Sequence, residues 1–184
     1  YCYSKSFPSI FHEFILYGGI NDYVDNTNDL KSFLSQFLGG RLICFYNRAE
    51  GITFPLESMR KLYIEKLDLG KSNTDPSLAA LMGEEKEEEV LLPKNPSQAL
   101  PLLEKTLKLD SKTVVILDFA EMLFPEGDIS TMSNEDRDSL IFLQRWAREP
   151  EIMSKGNLVI LITKNLSDIH SNLRSASSRI EAIA

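Results

Sequence analysis

Four apolar residues, Val114, Val115, Ile116 and Leu117, run directly into Asp118, and a second acid, Glu121, follows three positions later. A carboxylate at the end of a buried strand can hold magnesium beside the phosphates of a nucleotide. It can equally cap the turn that follows, since hydrophobic strands often end in aspartate. The metal chemistry also needs a phosphate cradle, a nest of backbone amides with a lysine to neutralise charge. The run NRAEGITFPLE, after the apolar stretch LICFY, is where that cradle is sought. It offers a single glycine, Gly51, and Glu50 sets negative charge where phosphate would sit. No Gly-Lys-Ser or Gly-Lys-Thr occurs anywhere in the chain. Arg48 is the nearest cationic substitute.

Other residues with chemical potential also leave apolar runs. Thr163, Lys164 and Asn165 follow LVILI. A neutral amide at Asn165 can orient an attacking water without adding charge beside phosphate. Asparagine is also among the best helix N-caps. Arg174 and Arg179 flank the run SASS. A guanidinium there can reach a transferring phosphoryl group of a neighbouring subunit, or form a surface ion pair, for example with Glu181. The two histidines, His12 and His170, lie far apart without metal-ligand spacing.

These residues need elements to position them. FPSIFHEFILYGG, residues 7–19, has Ile10, Phe11, Phe14, Ile15 and Tyr17 before a glycine pair, which predicts a short amphipathic helix. DNTNDLKSFLSQFLGG predicts a second helix, capped by Asn28 or Thr27, with Leu30, Phe33, Leu34, Phe37 and Leu38 on its apolar face. RLICFYN, residues 41–47, reads as a strand covered on both faces, and RAEGITFP as a turn or loop. SMRKLYIEKLDLG fits helix or strand. Residues 71–93 form an acidic loop or linker containing GEEKEEE, either solvated or a docking surface. NPSQALPLLEKTLKL predicts a helix with Asn95 as cap and Pro96 at its first position; Pro101 distorts it without ending it. TVVILDF is a central strand, FPEGDISTMSNED a loop, DRDSLIFLQRWAREP a helix and NLVILITKN a second buried strand. NLSDIHSNLRSAS predicts a helix capped by Ser167 or Asn165, and RIEAIA opens a last strand. Buried strands alternating with helices predict one α/β domain over residues 1–184, three-layered and with a mostly parallel sheet.

Composition narrows the function classes. The chain has 184 residues, 43% apolar and 26% charged, the balance of a soluble domain with a real core. A net charge of -7 argues against a nucleic-acid surface, and no apolar run is long enough to span a bilayer. No secretory signal pattern opens the chain. Two cysteines, Cys2 and Cys44, make neither a disulfide framework nor a zinc site, and a reducing, cytoplasmic setting is expected. The abrupt start at Tyr1 and the stop at Ala184 inside an apolar run lead to the expectation of a longer natural chain.

The order of these motifs resembles the AAA+ family of P-loop ATPases over about residues 29–184. VVILDFAE resembles the Walker B strand, and LVILITKN the strand ending in the sensor-1 asparagine, here Asn165. SNLRSASSRIEAIA is similar to the segment that carries the arginine finger into the last core strand, which places Arg174 and Arg179 near finger positions. The sequence departs from the family where Walker A would stand and where Phe119 replaces the Walker B glutamate; the α-helical lid has no counterpart. The resemblance implies a P-loop NTPase-like fold and a degenerate N-terminal domain. Such a module packs against and regulates an active ATP-hydrolysing AAA domain in the same chain or oligomeric ring, with protein partners and no catalysis of its own. An alternative is an ATPase with an unorthodox phosphate loop, binding Mg-ATP through Asp118, Glu121 and Arg48 and acting through Asn165, Arg174 and Arg179. A third is a receiver-like signalling domain, with Asp118 and Thr163 as its phosphorylation pair; it lacks the acidic pair that would hold its metal.

Overall fold

The computed structural model describes residues 13–19, 30–69, 90–175 and 177–184. Its strands are β1 (Glu13–Tyr17), β2 (Leu42–Asn47), β3 (Gly51–Thr53), β4 (Thr113–Leu117), β5 (Leu158–Thr163) and β6 (Ile180–Ile183). Its helices are α1 (Leu30–Phe37), α2 (Glu57–Lys66), α3 (Pro96–Leu109), α4 (Asn134–Trp146), α5 (Pro150–Met153) and α6 (Ser171–Arg174). All six strands form one sheet, in the order β3-β2-β4-β5-β1-β6. Every pairing is parallel except β2 with β3.

The apolar strands β2, β4 and β5 are buried along their whole length. Alternate residues feed two cores, as the period of a strand requires. Cys44, Tyr46, Val115, Leu117, Val159 and Leu161 face the larger core, where they meet Leu103 and Leu107 of α3 and Leu143 and Trp146 of α4. Ile43, Phe45, Val114, Ile116, Leu158 and Ile160 face the other core, which Leu34 of α1 closes. Burial pushes the Cys44 thiol far up, so it packs as a small hydrophobe. Cys2 and His12 lie outside the described residues, as does the acidic run.

Helix starts follow their capping chemistry. Asn95 accepts the Ser97 N–H at the head of α3, with Pro96 in the first turn, and the helix continues through Pro101. Ser133 accepts the Asp136 N–H at the head of α4. The two helices join where Glu104 receives the Trp146 indole N–H at 3.2 Å and the ammonium of Lys108 at 2.7 Å.

Three segments differ from the sequence reading. The opening segment supplies strand β1 rather than a helix. Its apolar residues also form a short continuous run, and β1 fills a slot with a parallel neighbour on each side. Residues 7–12 of that segment, and the predicted caps Thr27 and Asn28, lie outside the described residues. The turn expected at RAEGITFP contains β3, an edge strand that pairs Gly51 with Asn47 and Thr53 with Phe45. Residues 165–177 do not form one helix. The loop after β4 pulls the chain straight, because Pro125 bridges Ile169 and the His170 N–H bonds to the Phe124 carbonyl at 2.9 Å. What remains is a single 3-10 turn (Leu166–Asp168) and the short α6, capped by the His170 ring instead of Ser167 or Asn165.

Candidate functional site

In an open α/β sheet, ligands gather at the carboxyl ends of the strands. Asp118 leaves β4 there, with its N–H on the Tyr46 carbonyl of β2 at 2.9 Å. Its side chain is only 13% exposed, and its Oδ2 lies 3.0 Å from the Lys31 ammonium. Lys31 comes from the first turn of α1, and it also reaches Glu50 at 3.6 Å and lies 5.6 Å from the centre of the Phe45 ring. Burial works against the charged lysine, but the Asp118 and Glu50 carboxylates outweigh it and raise its pKa above the ordinary lysine value.

Sequence reasoning missed this lysine because it sought the cradle in the wrong place. A P-loop joins a parallel strand to a helix. In this sheet the parallel strand followed by a helix is β1, with α1 after it in the chain, whereas the turn after β2 only closes an antiparallel hairpin. The sequence of residues 20–29, INDYVDNTND, has no glycine and carries three aspartates. Lys31 and Ser32 then open α1. A Lys-Ser pair at the head of the helix after the first strand was the signal; calling the opening segment a helix hid it.

The hairpin turn is ordered by Asn47. Its Oδ1 accepts the N–H groups of Ala49 and Glu50 at 2.9 and 2.8 Å, and its amide donates to Glu50 Oε2 at 2.7 Å. That amide, and then the Lys31 ammonium, hold the Glu50 carboxyl below the usual carboxylate range. Arg48, the expected cationic substitute, turns away to α4, where its guanidinium bonds Asp136 and lies 3.8 Å from Glu135. Glu121, in the 3-10 turn Ala120–Met122, buries its Oε2 without a hydrogen-bond partner among the described residues. Phe119 stands between the two acids in the left-handed region, at φ 53° and ψ 49°.

Asn165 leaves β5, the strand beside β4. Its amide donates to Asp168 at 2.8 Å within its own turn, and its backbone carbonyl accepts the Thr163 hydroxyl at 3.2 Å. Arg174 is engaged by the Ile169 carbonyl at 2.6 Å and by Glu126 at 2.8 Å, which ties α6 to the loop after β4. Arg179 is exposed, at φ 63°, immediately before β6.

Magnesium beside a nucleotide asks for only one or two protein carboxylates, and Asp118 alone would serve. The phosphates are the difficulty. Lys31 already answers Asp118, Arg48 answers Glu135 and Asp136, and the sequence between β1 and α1 is acidic. Among the described residues no group of three metal-ligating side chains comes together, and no helix is long and apolar enough to cross a membrane. Among the described residues, the cations nearest Asp118 are thus already committed to carboxylates.

No curated protein matches the sequence. Among solved structures, the N-terminal domain of zonular occludens toxin from Neisseria meningitidis aligns with a TM-score of 0.39 and 13% identity, over 89% of this chain and 72% of that one. A chain in the HORMA:CdnC:Trip13 complex of E. coli MS115-1 aligns with a TM-score of 0.38 and 12% identity, over 86% of this chain and 53%, about half, of that one. The family described as AAA+ chaperone, N-terminal Rossmann-like domain matches residues 7–184. A mostly parallel α/β sheet is what that family's description leads one to expect, and the chain belongs to it.

Proposed function

We propose that this chain is a non-catalytic AAA-like module whose nucleotide position is closed by its own side chains. It packs against and regulates an ATP-hydrolysing AAA domain in the same chain or ring. The observation that carries this reading is the Lys31–Asp118 pair. Magnesium needs the Asp118 carboxylate and phosphate needs the Lys31 ammonium, and here each neutralises the other. Opening the pair for a ligand would leave Asp118 poorly solvated, because most of its surface is buried.

The test is calorimetric titration of the chain with magnesium and a non-hydrolysable ATP analogue, with Asp118→Ala alongside. The expected result is no binding heat with nucleotide at about 1 mM. Micromolar binding that disappears in Asp118→Ala would overturn the reading.

One observation favours the alternative, an ATPase with an unorthodox phosphate loop. Lys31 and Ser32 head the helix after β1, where a P-loop places its lysine and hydroxyl. Under that reading ATP displaces Asp118 from Lys31, and the same titration decides between the two.

A further inference from the structure

Between α3 and α4 lies a depression of about 420 Å³, lined by Lys105, Lys108 and Leu109 of α3, by Phe142 and Arg145 of α4, and by the mostly buried Glu104. It shares no residue with the Lys31–Asp118 pair. α3 begins where the Lys94 carbonyl accepts the Tyr46 hydroxyl, near the carboxyl end of β2. It ends where the Asn157 amide donates to the Leu107 carbonyl and the Asn157 side-chain oxygen accepts the Thr113 N–H, at the amino end of β4. The depression follows the later part of that course, away from the carboxyl edge of the sheet.

Three cations and one carboxylate line it, in a chain whose net charge is -7. Glu104 takes the Lys108 ammonium, the Arg145 guanidinium and the Trp146 indole N–H together. Burial opposes its charge, but these three partners outweigh burial and hold the carboxyl below the usual carboxylate range. Glu149 stands at the margin, 3.9 Å from Lys108, and even with it the cations are in excess. Lys105 is exposed, and among the described residues its hydrogen bond goes to a neutral group, the Leu67 carbonyl at 3.5 Å. Arg145 is fixed before any ligand arrives. Glu104 holds its Nη2, and its guanidinium carbon sits 4.8 Å from the centre of the Phe142 ring. Its side chain is nonetheless 49% exposed. A planar guanidinium held in this way can fork onto a second carboxylate with little further loss of freedom.

Each helix also sets an apolar residue one turn from its cation. Lys105 and Leu109 are four apart on α3, and Ile141 and Arg145 four apart on α4, so each pair shares a face. Leu109 is 57% exposed and Ile141 58%. A small inorganic anion would leave both uncovered, and a nucleic acid asks for a basic stripe at odds with an acidic chain. We propose that the depression docks an acidic segment of a partner protein, with one carboxylate forked by Arg145, a second paired with Lys105, and apolar residues beside them covering Leu109 and Ile141. The excess of cations selects the sign of the occupant, and the apolar residue beside each cation selects a protein segment. This assignment goes beyond the nucleotide reading and does not depend on it.

The probe is an acetylated, amidated Leu-Glu-Phe-Glu-Leu peptide, with Leu-Gln-Phe-Gln-Leu as its counterpart. Each is titrated into the full chain labelled with ¹⁵N at tryptophan. Trp146 is the one tryptophan of the chain and its indole N–H bonds Glu104, so a single signal watches the site. The acidic peptide is expected to move that signal saturably, with a dissociation constant of about 1 mM. The glutamine peptide should bind at least about tenfold more weakly. Lys105→Gln and Leu109→Ser, both at exposed positions, should each weaken the acidic peptide about threefold or more, and added salt should weaken it further. An indole signal unmoved at about 10 mM acidic peptide, equal responses to the two peptides, or unchanged binding in both variants would overturn the proposal. A rival occupant lies within the chain, the acidic run GEEKEEE of residues 83–89. If the acidic peptide binds only after the five glutamates of that run are changed to glutamine, the surface belongs to the run and the partner assignment falls.

Discussion

The carboxyl edge of the sheet has two halves with different construction. Around Asp118, the contacts join residues far apart in sequence, Lys31 to Asp118 and Arg48 to Asp136. Around Asn165, the side-chain contacts are mostly local, Asn165 to Asp168 and Arg174 to the Ile169 carbonyl, while Arg174 to Glu126 and backbone bonds to residues 124–126 reach further. The first half exists only when the fold brings α1, β2, β4 and α4 together. The second is a run of short-range turns docked on one neighbouring loop, residues 124–126. A long-range ion pair around a mostly buried acid is a feature of the folded state, and its loss should be felt by the whole domain. A local hydrogen bond organises its own turn and should be felt there.

The largest effect expected from this contrast comes from Lys31→Met. It leaves the Asp118 carboxylate mostly buried and unpaired, and should cost about 1–3 kcal/mol. Urea unfolding followed by fluorescence of the buried Trp146 measures it. Adding Asp118→Asn should recover more than half of that loss. If Lys31→Met unfolds at the wild-type midpoint, the two halves of the edge do not differ in this way.

The amino end of the sheet provides a second contrast. Glu13, at the start of β1, is 1% exposed, and neither carboxyl oxygen has a hydrogen-bond partner among the described residues. Burial raises its pKa well above the ordinary glutamate value. The folded chain thus keeps a proton that the unfolded chain releases near pH ~4.3. The stability from this group is fully present below that pH and declines as pH rises toward the raised folded value. Glu13→Gln should flatten this slope and stabilise the protein at neutral pH by about 1 kcal/mol or more, read from unfolding curves at a series of pH values. An unchanged slope would mean that Glu13 is solvated or paired in solution.

Phe119→Gly should be neutral or stabilising by up to about 1 kcal/mol, since glycine enters the left-handed region freely, offset by its greater freedom when unfolded. A clear loss of stability would show that the Phe119 ring packs where the structure has it exposed. Smallest of all, Asn165→Ala should shift global stability by no more than about 0.5 kcal/mol and show instead as faster hydrogen exchange in residues 166–170. A loss as large as that of Lys31→Met would erase the distinction between the halves.

The sequence made the strands legible where burial on both faces required unbroken apolar runs, as in Leu42–Asn47, Thr113–Leu117 and Leu158–Thr163. The start of α3 was legible because Asn95 and Pro96 carry a local capping code. The site was half legible. Asp118 and Asn165 each follow a strand that its apolar run made clear, and the sheet sets those strands side by side. Lys31 was missed because its meaning depends on β1 being a strand, and the five residues Glu13–Tyr17 fit either period. The ion pairs of Arg48 with Glu135 and Asp136 were not legible, because partners so distant in sequence are set by tertiary packing. The break in residues 165–177 escaped notice for the same reason, since a bridge from Pro125 imposes it.

The position of β1 between β5 and β6 bears on how the chain is made. A strand near the beginning has to pair with Val159 and Ile180, which lie near the end. On the ribosome β1 emerges early and has no sheet to join until its two neighbours have been synthesised, while β2 and β4 can pair before then. Closing so long a loop is slow, and an apolar strand waits unpaired in the meantime. Completion of the sheet should therefore be the late step of folding, with β1 as the part of the domain most in need of protection from other chains until it is reached.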